Sequence, residues 1–198
     1  MNEIKYHYGI KNVHYAVVTE TVGLNGSITS SYGTPKPLTG AKSISLAPQG
    51  DTVNEYADNG VWAVLGANNG YQGDLVLEKL TADFEKDILG KLVDDNGLMV
   101  EGATPKEIYF ALLFEFETDK KQRRQVFYKC SASRVTIDSQ TKEAGITLSP
   151  VTVTITAIPR PDETEVDTGV TENFVYAFAD NDSASWTNFF SAVPEPTF

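Results

Sequence analysis

The sequence predicts a mainly β protein: two packed antiparallel sheets, as in a β-sandwich or barrel, with one flanking α-helix and a short C-terminal helix. Three observations lead there. The 198 residues include 20 Thr, 18 Val, 10 Phe and 9 Tyr, the β-branched and aromatic types that pack well on a pleated surface. Apolar and polar residues alternate with period two from end to end. Only two segments carry helical signals.

In chain order, Val13, Tyr15 and Val17 mark a first strand. Residues 21–40 have Gly, Ser, Thr and two prolines but little periodicity; they are expected as a long loop, a class that is often functional. Ile44 and Leu46 alternate with Ser43 and Ser45, and residues 48–60 form a second long loop ending at Ala57-Asp58-Asn59-Gly60. Asn68-Asn69-Gly70-Tyr71-Gln72-Gly73 reads as a tight turn. The next strand places Leu75 and Leu77 against Asp74, Val76 and Glu78.

Thr81 fits a helix N-cap, with Asp83 and Glu85 in the first turn where the dipole favours negative charge. Phe84, Ile88 and Leu92 then form one apolar stripe, as in a helix laid on a sheet. Gly90 or the Asp94-Asp95-Asn96-Gly97 turn ends it. The strongest strand pair sets Phe110, Leu112, Phe114 and Phe116 beside Val126, Tyr128, Cys130 and Ala132. Its other faces carry Glu115 and Glu117, then Lys129, Ser131 and Ser133, and opposite charges support antiparallel pairing. Val151 to Thr156 alternates apolar residues with Thr. Each strand is expected to bury one face and leave the other wet or against another chain. Residues 159–172 read as an acidic linker, Phe174–Phe178 as a last strand, and Ser183–Phe190 as a short helix capped by Asp182 or Ser183. The chain therefore divides into a sandwich over 1–160, with its two long loops, and an acidic linker plus strand and helix over 161–198.

Charge and composition exclude several functions. Sixteen basic against 27 acidic residues give −11, which argues against a tight grip on nucleic-acid phosphates and against anionic membranes. The single cysteine, Cys130, excludes an internal disulfide framework and suits a reducing compartment; its apolar parity marks a buried, unreactive thiol. The first eight residues show no secretory h-region, and no apolar run approaches the ~18 residues of a membrane span. A soluble chain without a membrane anchor is expected, in the cytoplasm or in something assembled there.

The catalytic inventory is thin. His7 and His14 are the two histidines, and His14, inside Val13-His14-Tyr15, reads as a surface or interface residue. No Cys-x-x-Cys or His-x-x-x-His spacing offers a transition-metal site. A calcium loop centred on Gly97 would put Leu92 and Ala103 at ligand positions, where neither can coordinate. Asn68–Gly73 precedes a strand instead of opening a helix, so it lacks the context of a phosphate cradle. No catalytic residue, metal or cofactor is expected, and the chain is read as no enzyme. One feature stands out: Lys120, Lys121, Arg123 and Arg124 crowd the tip of the Phe110–Ala132 hairpin. They form either a solvated tip or one that meets an acidic patch on a neighbouring copy.

A set of motifs resembles the major tail protein, or tail tube protein, of long-tailed phages of Gram-positive bacteria. Its carriers are Gly9-Ile10-Lys11-Asn12-Val13-His14-Tyr15, Gly33-Thr34-Pro35, Gly50-Asp51-Thr52 and Tyr56-Ala57-Asp58-Asn59. Asn68–Leu75, Asp83-Phe84 with Asp87–Gly90, and Ala111–Phe116 continue it. The resemblance runs in order over about residues 9–160 and is less clear beyond. It implies a tail-tube-like fold with no catalytic residues to carry over. It also implies six-membered rings whose inner wall is a continuous β-barrel, stacked into the tube through which DNA leaves the virion. Implied partners are further copies of the chain, the tape measure, the tail initiator and terminator proteins, and DNA that passes without tight binding. Self-assembly candidates are Tyr32, Pro35, Tyr56, Asp58, Asn69 and Tyr71, with Lys120, Lys121, Arg123 and Arg124 at the charged tip. Deleting either long loop is expected to leave a folded domain that no longer polymerises.

The alternative is a β-sandwich binding module for carbohydrate or a receptor, using Trp62, Trp186 and Tyr71 to stack on sugar faces. A hydrolase built on paired carboxylates has no recognisable constellation.

Overall fold

The computed structural model describes residues 6–104, 106–118, 120–141 and 148–198; residues 1–5, read above for a leader, lie outside it. The described strands are β1 (His7–Val22), β2 (Ile28–Tyr32), β3 (Lys36–Pro37), β4 (Ala41–Gln49), β5 (Thr52–Ala57), β6 (Gly60–Gly66), β7 (Gly70–Leu77), β8 (Leu92–Val93), β9 (Met99–Val100), β10 (Phe110–Thr118), β11 (Arg123–Ala132), β12 (Val151–Ala157), β13 (Thr164–Asp167), β14 (Val170–Glu172) and β15 (Tyr176–Asp180), with helix α1 (Ala82–Asp87). Nine of them join in one sheet ordered β2-β1-β10-β11-β12-β7-β4, with β3 on β1 and β15 on β11. The ribbons β5–β6, β8–β9 and β13–β14 are separate two-stranded sheets. All these pairings are antiparallel. The large sheet curls until β4 nears β1, but no ladder joins them and the barrel stays open.

The inner face of the curl holds the main core: Val13, Tyr15, Leu75, Leu77, Phe110, Leu112, Phe114, Phe127, Cys130, Val153 and Ile155. Helix α1 closes it. Thr81 Oγ1 accepts from Phe84 N at 3.3 Å, fixing the first turn. Phe84 then meets Tyr15 and Phe110 edge-on, at ring separations of 5.1 and 5.7 Å. The helix stops at Asp87, with Ile88 as C-cap and Gly90 at φ +68, so Leu92 leaves the expected apolar stripe for β8.

A second core lies on the outer face of β1, β10 and β11. Ala16, Ala111, Leu113, Val126 and Tyr128 pack there under Ala179, Phe189 and Val193. Both faces of these central strands are therefore buried, where the sequence predicts a second face that is wet or against another chain, because the chain's own C-terminal segment covers it. The alternation in β11 also shifts partway. A β-bulge falls between the pairs Phe110↔Cys130 and Leu112↔Phe127, and one extra residue reverses the parity of all that follows. Val126 and Tyr128 thus face the second core, while Cys130 faces the first.

Three stretches read as loop or linker contain ladders. Residues 21–40 carry the end of β1, the hairpin partner β2 and the short β3; residues 48–60 run from β4 into the β5–β6 hairpin; residues 159–172 contain β13–β14. Their strands escape detection because β3, β5 and β14 are exposed throughout and the half-buried positions of β2 and β13 include the polar Ser30 and Thr164, so no apolar period-two signal arises. The C-terminal helix is a single 3-10 turn, Ala184–Trp186, capped by the Ser183 side chain. Ser, Trp, Thr and Asn in 183–188 are weak helix formers and extend it no further.

Candidate assembly surfaces

The β5–β6 ribbon is an arm. It continues the β4–β7 ladder through Asn69 N to Gln49 O (2.9 Å) and Ala67 N to Asp51 O (3.2 Å). Two glycines stand at its root: a Cβ on Gly50 would collide with the Ala67 carbonyl, and one on Gly70 with that of Ala157. Both have positive φ, which suits glycine. The tip is a two-residue turn, Asp58-Asn59, with φ of 50° and 62°, the type I′ geometry that matches hairpin twist and that Asp and Asn tolerate. Along the arm, Val53, Tyr56, Val61, Trp62, Val64 and Leu65 all stand exposed, Trp62 at 73% and Tyr56 at 71%. A two-stranded ribbon alone is marginal in water, and exposed apolar side chains stand on both of its faces, Val61 and Leu65 on one and Trp62 and Val64 on the other.

A second apolar ribbon, β8–β9, follows α1. Asp94 Oδ1 accepts from Asn96 N (3.0 Å) and Leu98 N (2.6 Å), so the acidic run is a turn, as its sequence suggests. Leu92, Val93, Leu98 and Val100 are exposed. Beside them a groove of about 320 Å³ is lined by Ile88, Leu89, Leu92, Ala103, Lys106 and Arg134, among others.

At the hairpin tip, three of the four clustered cations have partners in their own chain. Lys121 pairs with Asp182, whose carboxyl that hydrogen bond pulls below its usual range. Arg123 donates twice to Asp180, at 2.8 and 3.1 Å, and lies over the Phe178 ring. Arg124 donates to Glu115 at 3.0 Å and to the Trp186 carbonyl, with its guanidinium 3.7 Å from the Trp186 ring. Glu115 is 1% exposed and also receives Lys11 (3.3 Å) and Asn12 (3.2 Å). Within the chain, these three charges fasten the C-terminal segment over the second core. Lys120 is exposed.

The other sequence candidates divide. Tyr56, Asp58 and Asn69 lie on the arm or at its root. Pro35 is buried. Tyr71 packs edge-on against Phe127 at 5.2 Å and beside Tyr176 at 6.2 Å. Tyr32 leans on Tyr128, ring to ring 6.3 Å, and its buried hydroxyl has no hydrogen-bond partner. Of the three aromatics weighed for sugar stacking, Tyr71 and Trp186 are committed to contacts within the chain, and Trp62 is the open one. Sequence reasoning passed over Val61, Val64, Leu65, Leu92 and Leu98. The signal for the arm was present in Asp58-Asn59-Gly60 followed by the apolar run Val61–Leu65, a hairpin turn entering a strand without alternation.

Elsewhere, His14 Nδ1 lies 2.8 Å from the Asn12 carbonyl and its ring stacks on Phe190 at 4.7 Å. His7 stacks on Phe116. Burial pushes the Cys130 thiol up, away from its reactive form. Among the described residues no three His, Cys, Asp or Glu side chains are grouped as metal ligands, and no helix is long and apolar enough to cross a membrane.

A search of curated proteins returns no match. A family model described as phage tail tube protein matches residues 3–191. It extends beyond residue 160, where the motif resemblance faded, and takes in β13–β15 and the 3-10 turn. With nearly the whole length matched, and a mainly antiparallel β fold bearing two uncovered apolar ribbons, the chain belongs to the phage tail tube protein family.

Proposed function

We propose that the chain is the repeating subunit of hexameric rings stacked into the DNA-conducting tube of a phage tail. It assembles on tail initiator and tape measure proteins, ends at a terminator, and does so in the cytoplasm of a Gram-positive host. The family supports a structural tail component. The observation that carries the finer reading is the pair of exposed apolar ribbons on a domain whose two cores are otherwise filled. A monomer gains nothing from such surfaces, while a polymer buries them at every repeat. Charge supports the bore: six copies at −11 each give about −66 per ring, a field that repels phosphates and lets DNA slide. The outer face of β4, β7 and β12 carries Ser45, Gln72, Asp74 and Thr154, polar and partly or fully exposed. This face suits a wet bore better than that of β10 and β11, which the C-terminal segment covers.

Electron microscopy of the purified protein, alone and with the initiator components, tests this. Six-fold rings or tubes are expected. Monomers of 21.7 kDa at every concentration and with every tail component would overturn it.

A further inference from the structure

We propose that residues 181–198 form a strap that lifts from the second core as one unit while the sheet beneath stays folded. The device belongs to the single subunit and does not rest on the tube reading above. Backbone bonding is the first argument. Strand β15 ends its ladder at Asp180, opposite Arg123. Beyond it, among the described residues, the backbone bonds close locally: Ser183 N to Asp180 O (2.9 Å), Trp186 N to Ser183 O (3.1 Å), and Ser191 N and Ala192 N to Asn188 O (3.0 and 3.2 Å). None of these crosses to the sheet. Lifting the segment breaks no ladder, and residues 181–183 serve as its hinge. A segment held without ladder bonds opens at a lower free energy than the strands it covers.

Side chains alone hold the strap, at two clasps. Near the hinge, Lys121 pairs with Asp182, and Arg124 donates to the Trp186 carbonyl. At the far end Arg160 Nη1 donates to Glu195 at 2.5 Å, and Tyr128 Oη donates to the Pro194 carbonyl at 3.0 Å. Asp182 and Glu195 are exposed, and ion pairs open to water contribute little each. Between the clasps, Phe189 and Val193 are the strap's buried apolar side chains. They cover Ala16, Ala111, Leu113, Val126 and Tyr128, and this apolar contact keeps the closed form dominant. The far end is loosely filled. A gap of about 320 Å³ lies between residues 30–34 and residues 191–193 of the strap. Beside it Tyr32 Oη and Arg160 Nε are buried without a hydrogen-bond partner. Water admitted as the strap lifts pairs with both, which offsets part of the cost of opening.

Thiol labelling tests this. Val126→Cys sets a thiol beneath the strap, while the native Cys130, fully buried in the main core, reports loss of the sheet itself. Iodoacetamide modifies both, and trypsin cleaves between them at Lys129, so peptide masses give the two rates separately. The introduced thiol is expected to react at least about tenfold faster than Cys130, and its rate to depend less on urea, because lifting the strap exposes less surface than unfolding. Equal rates with equal urea dependence overturn the proposal, since the strap then leaves only with the sheet. Should Val126→Cys fail to fold, Val193→Cys puts the thiol on the strap and gives the same two readings. A second measurement adds Asp182→Asn and Glu195→Gln, which weaken both clasps. Labelling beneath the strap is expected to rise about three- to tenfold while that of Cys130 is unchanged. An equal change at both thiols, or none at either, overturns the proposal.

Discussion

Glu115 shows how one side chain ties the C-terminal segment to the sheet. Its carboxylate is nearly inaccessible, yet Lys11, Asn12 and Arg124 all reach it, and Arg124 in turn stacks on Trp186 and Phe190. Removing one partner of a buried pair strands the other. Glu115→Ala is expected to lower stability by about 3–5 kcal/mol in urea titration, with loss of Trp186 ordering seen by fluorescence; a change within experimental scatter would show the pair to be solvated. Tyr32 makes the opposite case. Burial pushes its phenol up to about 12, opposed by the neighbouring Arg160 guanidinium. A phenol raised from 10 favours the folded state fully below pH 10, because there both states are protonated. As pH climbs past 10 the unfolded chain sheds the proton first, and the contribution is lost progressively toward pH 12. Tyr32→Phe should therefore melt close to the parent at pH 7, where the phenol is protonated in both states, and clearly higher at pH 11. Identical alkaline melting curves for the two proteins would refute the assignment.

Elements were legible in the sequence in proportion to how one-sided their burial is. β7 and β12 bury Leu75, Leu77, Val153 and Ile155 on one face and leave Asp74 and Thr152 outside, so alternation found them. β10 and β11 showed as strands, but their second core did not, because Phe189 and Val193 approach from a distant segment with no local period. Nor can the bulge in β11 be read locally, since it is defined only by its partner strand. The β5 half of the arm reads as part of the 48–60 loop for a like reason: with both faces exposed, its sequence has no inside to encode. The observed ladders revise the loop-deletion expectation. Leu38 is buried in the main core, so removing residues 21–40 should now unfold the domain. Removing 51–67 and joining Gly50 to Asn68 takes out exposed side chains and the half-buried Ala63, all beyond the last β4–β7 pair, Gln49↔Gly70. That variant should keep a cooperative melt and the parent circular dichroism while failing to polymerise; polymerisation at the parent rate would remove the arm from the assembly contacts.

At the scale of the whole molecule, the acid excess sets how a tube treats its cargo. A protein that holds DNA does so by replacing counterions with Lys and Arg, and its affinity falls steeply with salt. The polar face of β4, β7 and β12 offers Asp74, hydrogen-bonded by Thr154 at 2.8 Å, among uncharged Ser45 and Gln72, while Lys42 of β4 is paired to Glu78 at 3.1 Å, which leaves a phosphate little to grip. If this face lines the bore, reversing the Asp74 charge should convert a slide into a brake. Asp74→Lys adds two positive charges per copy, about +12 per proposed ring, repeated along every ring the DNA passes. Because Asp74 is exposed, the substitution should cost little in folding or in tube formation. Release of DNA from virions built with the variant, followed by a dye that reports free duplex, should then be slow at about 50 mM salt and recover near 200 mM, as counterion release predicts. Parent-like release at low salt from well-formed tubes would move the bore to a different face of the sheet, and with it the explanation for why this surface alone among the central strands was left polar.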